Sequence, residues 1–434
     1  MTTSDTPVPA DDAPPAGAPA GRAETAGQTP VPPSLSEARA TLMLTLATVG
    51  FALNFWAWAL LSPLAPMLKD TLHLSSFEQS LIVAVPVLVG SIGRIPVGAL
   101  TDRFGGRVMF PIVSFTTILP VLFLGFAGNK SLGALLVGGF FLGIGGTAFA
   151  VGVPFVNAWF PPARRGFAVG VFGAGMGGTA ISALTTVKLV HAHGFATPFV
   201  ITAIALAIFG VVAVIVLRDA PGRTIPIEPP VKRLLATAKL PITWRASLLY
   251  AVGFGGYVAF SVYLPTYLRN AYVLTQADAA NKMAGFVLVA VVMRPVGGWL
   301  SDRFRPTPVL IGAFLVVAIG AFIQSSTPGL SPLGTIAFLG MAAALGAASG
   351  AVFALVAEQT PAAKVGSVTG LVGAAGGLGG FVPPLVMGSI WGRHGSYALG
   401  LILLGIVALL AVLLSAETGR PRHRTTAVAG AGAR

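Results

Sequence analysis

Residues 94–104 read RIPVGALTDRF, and residues 294–304 read RPVGGWLSDRF. The two stretches align without a gap at an offset of 200 residues, and each ends an otherwise apolar run of membrane-crossing length. Arg94 lies eight residues before Asp102, and Arg294 lies eight before Asp302. Eight helical residues rise about 12 Å. With each Asp-Arg-Phe turn at the edge of a hydrocarbon core about 30 Å thick, both arginines fall near mid-membrane. Such a placement costs about 3 kcal/mol per arginine even on lenient insertion scales. Two of them at matching depth therefore need a reason.

The rest of the chain has the same character. Of 434 residues, 55% are hydrophobic and 9% charged, against about 25% charged in a soluble domain. The apolar runs are continuous and do not alternate, which predicts an all-α polytopic membrane protein and excludes a β-barrel. Twelve transmembrane helices are expected, over 40–64, 77–100, 108–127, 132–157, 165–189, 195–217, 245–268, 279–300, 307–325, 333–357, 365–390 and 396–416. The one long interior connection, 218–244, divides them into two six-helix pseudo-repeats. The expected organisation is a disordered N-terminal tail over 1–38, a six-helix bundle over 39–217, the central loop, a second bundle over 245–416, and a basic tail over 417–434. The first 38 residues lack the basic start and apolar stretch of a signal peptide. The 55 glycines suit close helix packing in lipid. With no cysteine, neither a disulfide nor a thiolate metal site is expected.

Lysine and arginine placement orients the chain. With both termini inside, the tails and inner loops hold 19 of the 27 basic residues, and the opposite side holds six: Lys69, Lys130, Lys188, Arg269, Lys282 and Arg393. Both termini are therefore expected in the cytoplasm of a plasma (inner) membrane. The net charge of +13 reflects this rule, and no nucleic-acid partner is expected. The lipid bilayer is the expected surrounding, and a monomer the expected state.

A buried salt bridge would explain the two arginines, but the fourteen acids are all elsewhere. Six lie in the tails, Asp70, Glu78 and Asp278 at outer helix ends, and Asp102, Asp219, Glu228, Asp302 and Glu358 at inner ends. Snorkelling over 12 Å is also too far. A bound anion is the remaining explanation, and a planar guanidinium suits a small oxyanion in bidentate fashion. The offset of 200 recurs in the glycines: Gly166, Gly170, Gly173 and Gly177 fall on Gly366, Gly370, Gly373 and Gly377. The fifth span reads GVFGAGMGGTAIS from Gly170 and the eleventh GLVGAAGGLGG from Gly370, which adds Gly175 and Gly376. Such density weakens a helix but admits backbone to a neighbouring helix or a ligand. His73, His191, His193 and His394 fall near outer helix ends, and Lys188, His191, His193, Arg393 and His394 would make a weakly positive vestibule. No motif for enzymatic chemistry, a cofactor or a metal is present.

The loop GALTDRFGGR, Gly98 to Arg107, and its weaker copy GWLSDRFR, from Gly298, resemble the loop signature of the major facilitator superfamily. In that family the loop is a cytoplasmic conformational latch, here Gly98, Asp102, Arg103, Arg107, Asp302 and Arg303. The paired arginines and both glycine-rich spans narrow the resemblance to the nitrate/nitrite porter family. It implies a facilitator fold and a secondary transporter whose two arginines, Arg94 and Arg294, hold nitrate or nitrite at mid-membrane. It also implies aromatic rings on either face of the anion, at Phe149 and Phe254, and a hydrogen-bonding tyrosine at Tyr250, one turn before Phe254. That family often carries asparagine in the fifth-span signature, and this chain has none there. Two uncompensated arginines would make the unloaded site expensive to close. Nitrate/nitrite exchange is the first expectation, proton-coupled nitrate uptake the second, and another small anion the third.

Overall fold

A computed structural model describes Thr2 and residues 33–161, 164–221, 230–360 and 365–419. The chain divides into a unit up to Arg39 and a unit from Ala40 onward, and the second contains the helical bundle. Most of the expected tail over 1–38, and the basic tail beyond residue 419, lie outside the described residues. Among the described residues there are no strands, and twelve helices are long and apolar enough to cross a membrane. They are α1 Glu37–Leu72, α2 Ser76–Phe104, α3 Gly106–Phe126, α4 Leu132–Trp159, α5 Ala168–His193, α6 Thr197–Val216, α7 Pro241–Tyr272, α8 Gln276–Phe304, α9 Pro306–Ser325, α10 Leu330–Gln359, α11 Ser367–His394 and α12 Ala398–Thr418. Each expected span is present, most of them a few residues longer.

Several of these helices break near their middles, which periodicity did not reveal. The α-helical pattern of α2 is interrupted between Ile92 and Arg94, at Gly93. Within α4 the run Gly143–Thr147 is 3₁₀, and within α5 the run Ala174–Gly177 is 3₁₀. The helix of α11 is interrupted between Gly379 and Val382. Irregular backbone at membrane depth is tolerated where it is buried in protein or lines a cavity, and short 3₁₀ insertions often mark functional positions. The central connection also differs from the expected loop. It contains a short helix, Pro230–Ala238, packed against α7 and α11. Pro230 at its first position supplies a preset helical φ, and Trp244 Nε1 donates to Ala238 O at 2.7 Å.

Packing displays the repeat. In the first six spans α3 packs on α6 and α2 on α4; in the last six α9 packs on α12 and α8 on α10. Both sets use small residues to bring backbones together. A side chain at Gly143 would collide with Pro86 O of α2. Likewise, one at Gly346 would strike Ala290 O, and one at Gly350 would strike Arg294 O. These are the small-xxx-small seams of helices that pack without a hydrophobic driving force. The outer helices α6 and α12 turn Ile208, Ile215, Leu410 and Leu413 outward, as lipid-facing positions should be.

The two sets of six meet along α1–α7, α2–α11 and α5–α8. At the end of the bundle that carries Asp70, several polar contacts bridge them. Ser62 Oγ donates to Val262 O at 2.7 Å, and Gln79 Nε2 to Thr266 Oγ1 at 3.0 Å. Gln276 Nε2 donates to Pro63 O at 2.8 Å, and Arg269 pairs with Asp70 at 2.5 Å.

Candidate functional site

Arg94 is 6% exposed and Arg294 3%. Arg94 directly follows Gly93, where the α-helical pattern of α2 is interrupted, and its side chain lies beside the 3₁₀ turn of α4. Its Nε donates to Gly146 O in that turn at 3.4 Å. Its Nη1 reaches across to the last six spans and donates to Gly373 O of α11 at 2.8 Å. Arg294, in the unbroken middle of α8, reaches the other way. Its Nη2 donates to Tyr250 Oη at 2.9 Å, and its Nη1 touches the thioether of Met176 in the 3₁₀ turn of α5. Among the described residues neither arginine has a carboxylate partner. Each guanidinium carries five N–H donors, and the acceptors it finds are neutral. The remaining donors are available to an anion.

Two rings stand between the arginines. Phe149 of α4 and Phe254 of α7 face each other, centroids 6.2 Å apart and planes 27° from parallel. The Arg94 guanidinium carbon is 5.0 Å from the Phe149 centroid and 5.4 Å from that of Phe254. That of Arg294 is 5.8 and 5.5 Å from the same two. The shared ring places the two guanidinium carbons within about 11 Å of each other. Cation–π contact of this kind is worth about 2 kcal/mol when desolvated, which offsets part of the burial penalty without neutralising charge. Tyr250 stacks on Phe254, 5.0 Å away and 2° from parallel. That is the geometry of residues one turn apart on a single helix face.

The signature glycines lie where the arginines cross. A side chain at Gly377 would meet Ser91 and come within 3.1 Å of Arg94 Nη1, and one at Gly173 would come within 3.3 Å of Arg294 Nε. Each arginine thus rests against glycine from the opposite six spans. Gly373 faces Phe149, Gly376 is covered by the Tyr250 ring, and Gly175 by the Phe51 ring. Gly170, Gly177 and Gly370 have open space or ordinary contact beside them. They do not share this crossing.

The residues expected to form the latch lie apart from the arginines, at the opposite end from Asp70. Arg103 and Arg303 sit at the same register, their guanidinium carbons 5.4 and 5.7 Å from the rings of Phe104 and Phe304. Asp219, which the sequence placed only at an inner helix end, receives the Arg107 backbone N–H at 3.2 Å and packs on Gly105. In the second copy Arg305 pairs with Glu358 at 2.9 Å, so the two loops are closed by different acids. A side chain at Gly98 would meet Ala150 at an ordinary contact distance of 3.9 Å. Asp302 stands two residues before the end of α8. His191, His193, Arg393 and His394 occupy the last turns of α5 and α11, and no cluster able to hold a metal occurs among the described residues.

Three site residues escaped the sequence reading. Met176 contacts Arg294. The Phe353 ring of α10 packs on Tyr250 at a tilt of 58°, centroids 4.7 Å apart, and its centroid lies 5.9 Å from the Arg294 guanidinium carbon. Ser91 faces Gly377. Met176 alone carried a signal, as the one bulky residue among the glycines of Gly173–Gly178.

Comparison with known proteins gives the family and the fold. The model of the Major Facilitator Superfamily matches residues 47–384 and again 269–433. "Probable nitrate/nitrite transporter NarK2" of Mycobacterium tuberculosis (strain ATCC 25618 / H37Rv) is 51% identical over 379 residues, 87% of this chain and 96% of that protein. "Nitrite extrusion protein" of Bacillus subtilis (strain 168) is 35% identical over 376 residues, 87% of this chain and 94% of that one. A solved structure of a bacterial homolog of the human lysosomal transporter Spinster, inward-facing and occupied, superposes with a TM-score of 0.66. It is 20% identical and covers 87% of this chain and 95% of that one, which speaks to the fold.

Proposed function

The chain belongs to the Major Facilitator Superfamily, among its nitrate/nitrite transporters, and on that premise we propose that it carries nitrate and nitrite by exchange. The anion sits between Arg94 and Arg294, flanked by the rings of Phe149 and Phe254, with the Tyr250 hydroxyl as a further donor. One observation carries this reading: two buried guanidiniums from opposite six-span sets flank one pair of rings and share no acid. Tyr250 accepts from Arg294, so its own proton is free to point at an oxyanion.

The cycle follows from charge. Drawing two guanidiniums together in low dielectric is costly. A monovalent anion between them offsets part of that cost, so the loaded carrier reorients and the unloaded one lags. Alternating access is the rocking of the first six spans against the last six about this site. The loops at Gly98–Arg107 and Asp302–Arg303 latch one face, and the polar contacts around Asp70 and Arg269 close the other. The positive-inside count places the latch face, both termini and the central connection in the cytoplasm.

Flux into proteoliposomes tests the reading. Nitrate uptake is expected to require nitrite or nitrate inside. Uptake that proceeds equally well against an anion-free interior would sink exchange, and dependence on an imposed pH gradient would assign proton coupling instead. Arg94→Lys and Arg294→Lys are each expected to abolish transport, because a lysine keeps the charge but loses the bidentate fork. Normal flux in either variant refutes the site.

A further inference from the structure

We propose that Tyr257 and Thr179 form a closure bond of the transport cycle, and that Tyr257 is a positioning residue for the anion site. The inference rests on the anion-site reading above and adds Tyr257, which none of the signature motifs contains. Tyr257 lies on α7, two turns beyond Tyr250, fully buried, with its ring 6.0 Å from that of Phe254. Its hydroxyl leaves its own six-span set. It donates to Thr179 Oγ1 at 3.2 Å, with Met176 O at the longer distance of 3.4 Å, both on α5. Thr179 Oγ1 in turn donates to Met176 O at 3.0 Å. All three residues are buried.

The place where these bonds converge gives them meaning. Met176 belongs to the 3₁₀ turn of α5, and its side chain touches the Arg294 guanidinium. A glycine-rich turn has little of its own to hold it in one conformation. Tyr257 and Thr179 fix its carbonyl, and the fixed turn sets Met176 against Arg294. The same hydroxyl pair spans the two sets of helices that part when the carrier opens. The bond therefore exists only while the two sides of the site are together. It consists of neutral groups, so unlike the arginine contacts it is not displaced when an anion enters. It stabilises the closed, anion-holding arrangement over the open ones, and its loss falls on apparent affinity before it falls on turnover.

The test is nitrate exchange by purified protein in liposomes, with KM and maximal rate measured separately. Tyr257→Phe and Thr179→Val each remove the bond while keeping shape. Each is expected to raise the nitrate KM by roughly two- to tenfold, the net worth of one buried neutral hydrogen bond, without lowering the maximal rate. The double variant should be no worse than Thr179→Val alone, because that substitution already removes the acceptor of the Tyr257 bond. Thr179→Ser, which keeps the hydroxyl, should restore the parental KM. An unchanged KM in Tyr257→Phe overturns the inference. So does a fall in maximal rate alone, or a Thr179→Ser variant as impaired as Thr179→Val, since both mark a merely structural role. Failure of the parental protein itself to show saturable nitrate exchange would instead bring down the anion-site reading, and this inference with it.

Discussion

Single residues decide the site by where they are absent as much as by where they stand. Gly377 leaves room for Ser91 and Arg94, whereas Gly177, at the same place in the other repeat, has open space beside it. Gly377→Ala is therefore expected to push Arg94 from its place and cut nitrate flux at least about tenfold, the effect of misplacing a binding group by about 1 Å. Gly177→Ala, at matched expression, should stay within about twofold. Comparable losses in both would show that helix sliding, not the arginine contact, sets the requirement. Arg94 and Arg294 were legible in the sequence because a charge at membrane depth is rare, whereas Phe149, Tyr250 and Phe254 were implied only by the resemblance to the nitrate/nitrite porters. Ser91 and Phe353 were not legible. A serine or phenylalanine in an apolar span is ordinary until tertiary packing brings it beside an arginine.

At the scale of helices, the α8–α10 seam carries Arg294 on its back. Gly350 packs against the Arg294 carbonyl, so its substitution acts on the site through the backbone. Gly350→Ala is expected to cost about 1–3 kcal/mol of stability, as overpacking does. It should lower both the melting temperature and nitrate flux, and an unshifted melting curve would show that the seam is loose. The contacts around Asp70 divide by burial. Gln79 is 1% exposed, while the Arg269 and Asp70 side chains are 33% and 59% exposed. Because the chain has no cysteine, a single Val262→Cys at this end reports opening by its rate of thiol labelling. Adding Gln79→Ala should speed labelling about three- to tenfold, the worth of a buried hydrogen bond. Adding Asp70→Asn should speed it less, as befits an exposed pair, and its effect should fade in high salt. The reverse order would assign the closure to the ion pair. Hydropathy located every span, since length and apolarity are local properties. The breaks in α2, α4, α5 and α11 were only hinted at by glycine, because whether a helix tolerates glycine depends on the neighbour that fills the space.

For the whole molecule, an offset of 200 residues foretold a packing pattern that recurs in both sets of six, and the resemblance to the nitrate/nitrite porters foretold the family. The repeat did not foretell where the halves diverge. Met176 fills, against Arg294, the place that Gly376 vacates for the Tyr250 ring. Asp219 and Glu358, which close the two signature loops, are not repeat partners. The first difference arises from a contact with the opposite half, which a comparison of one half with the other does not include, and the two acids stand where the other half has Gly419 and Ala158. Phe149 belongs to one half and Phe254 to the other, and their centroids are 6.2 Å apart. A flat ion between two rings needs about 7 Å, twice an optimal carbon contact. On the proposed reading, then, the ring pair works as a caliper mounted across the joint, and it converts the thickness of the cargo into the angle between the halves. A trigonal or bent ion opens the caliper by about 1 Å, whereas a tetrahedral ion such as sulfate has no thin direction and wedges it wider, whatever its charge. Rejection of sulfate would then be a mechanical matter, settled by how far two halves of a protein must stand apart.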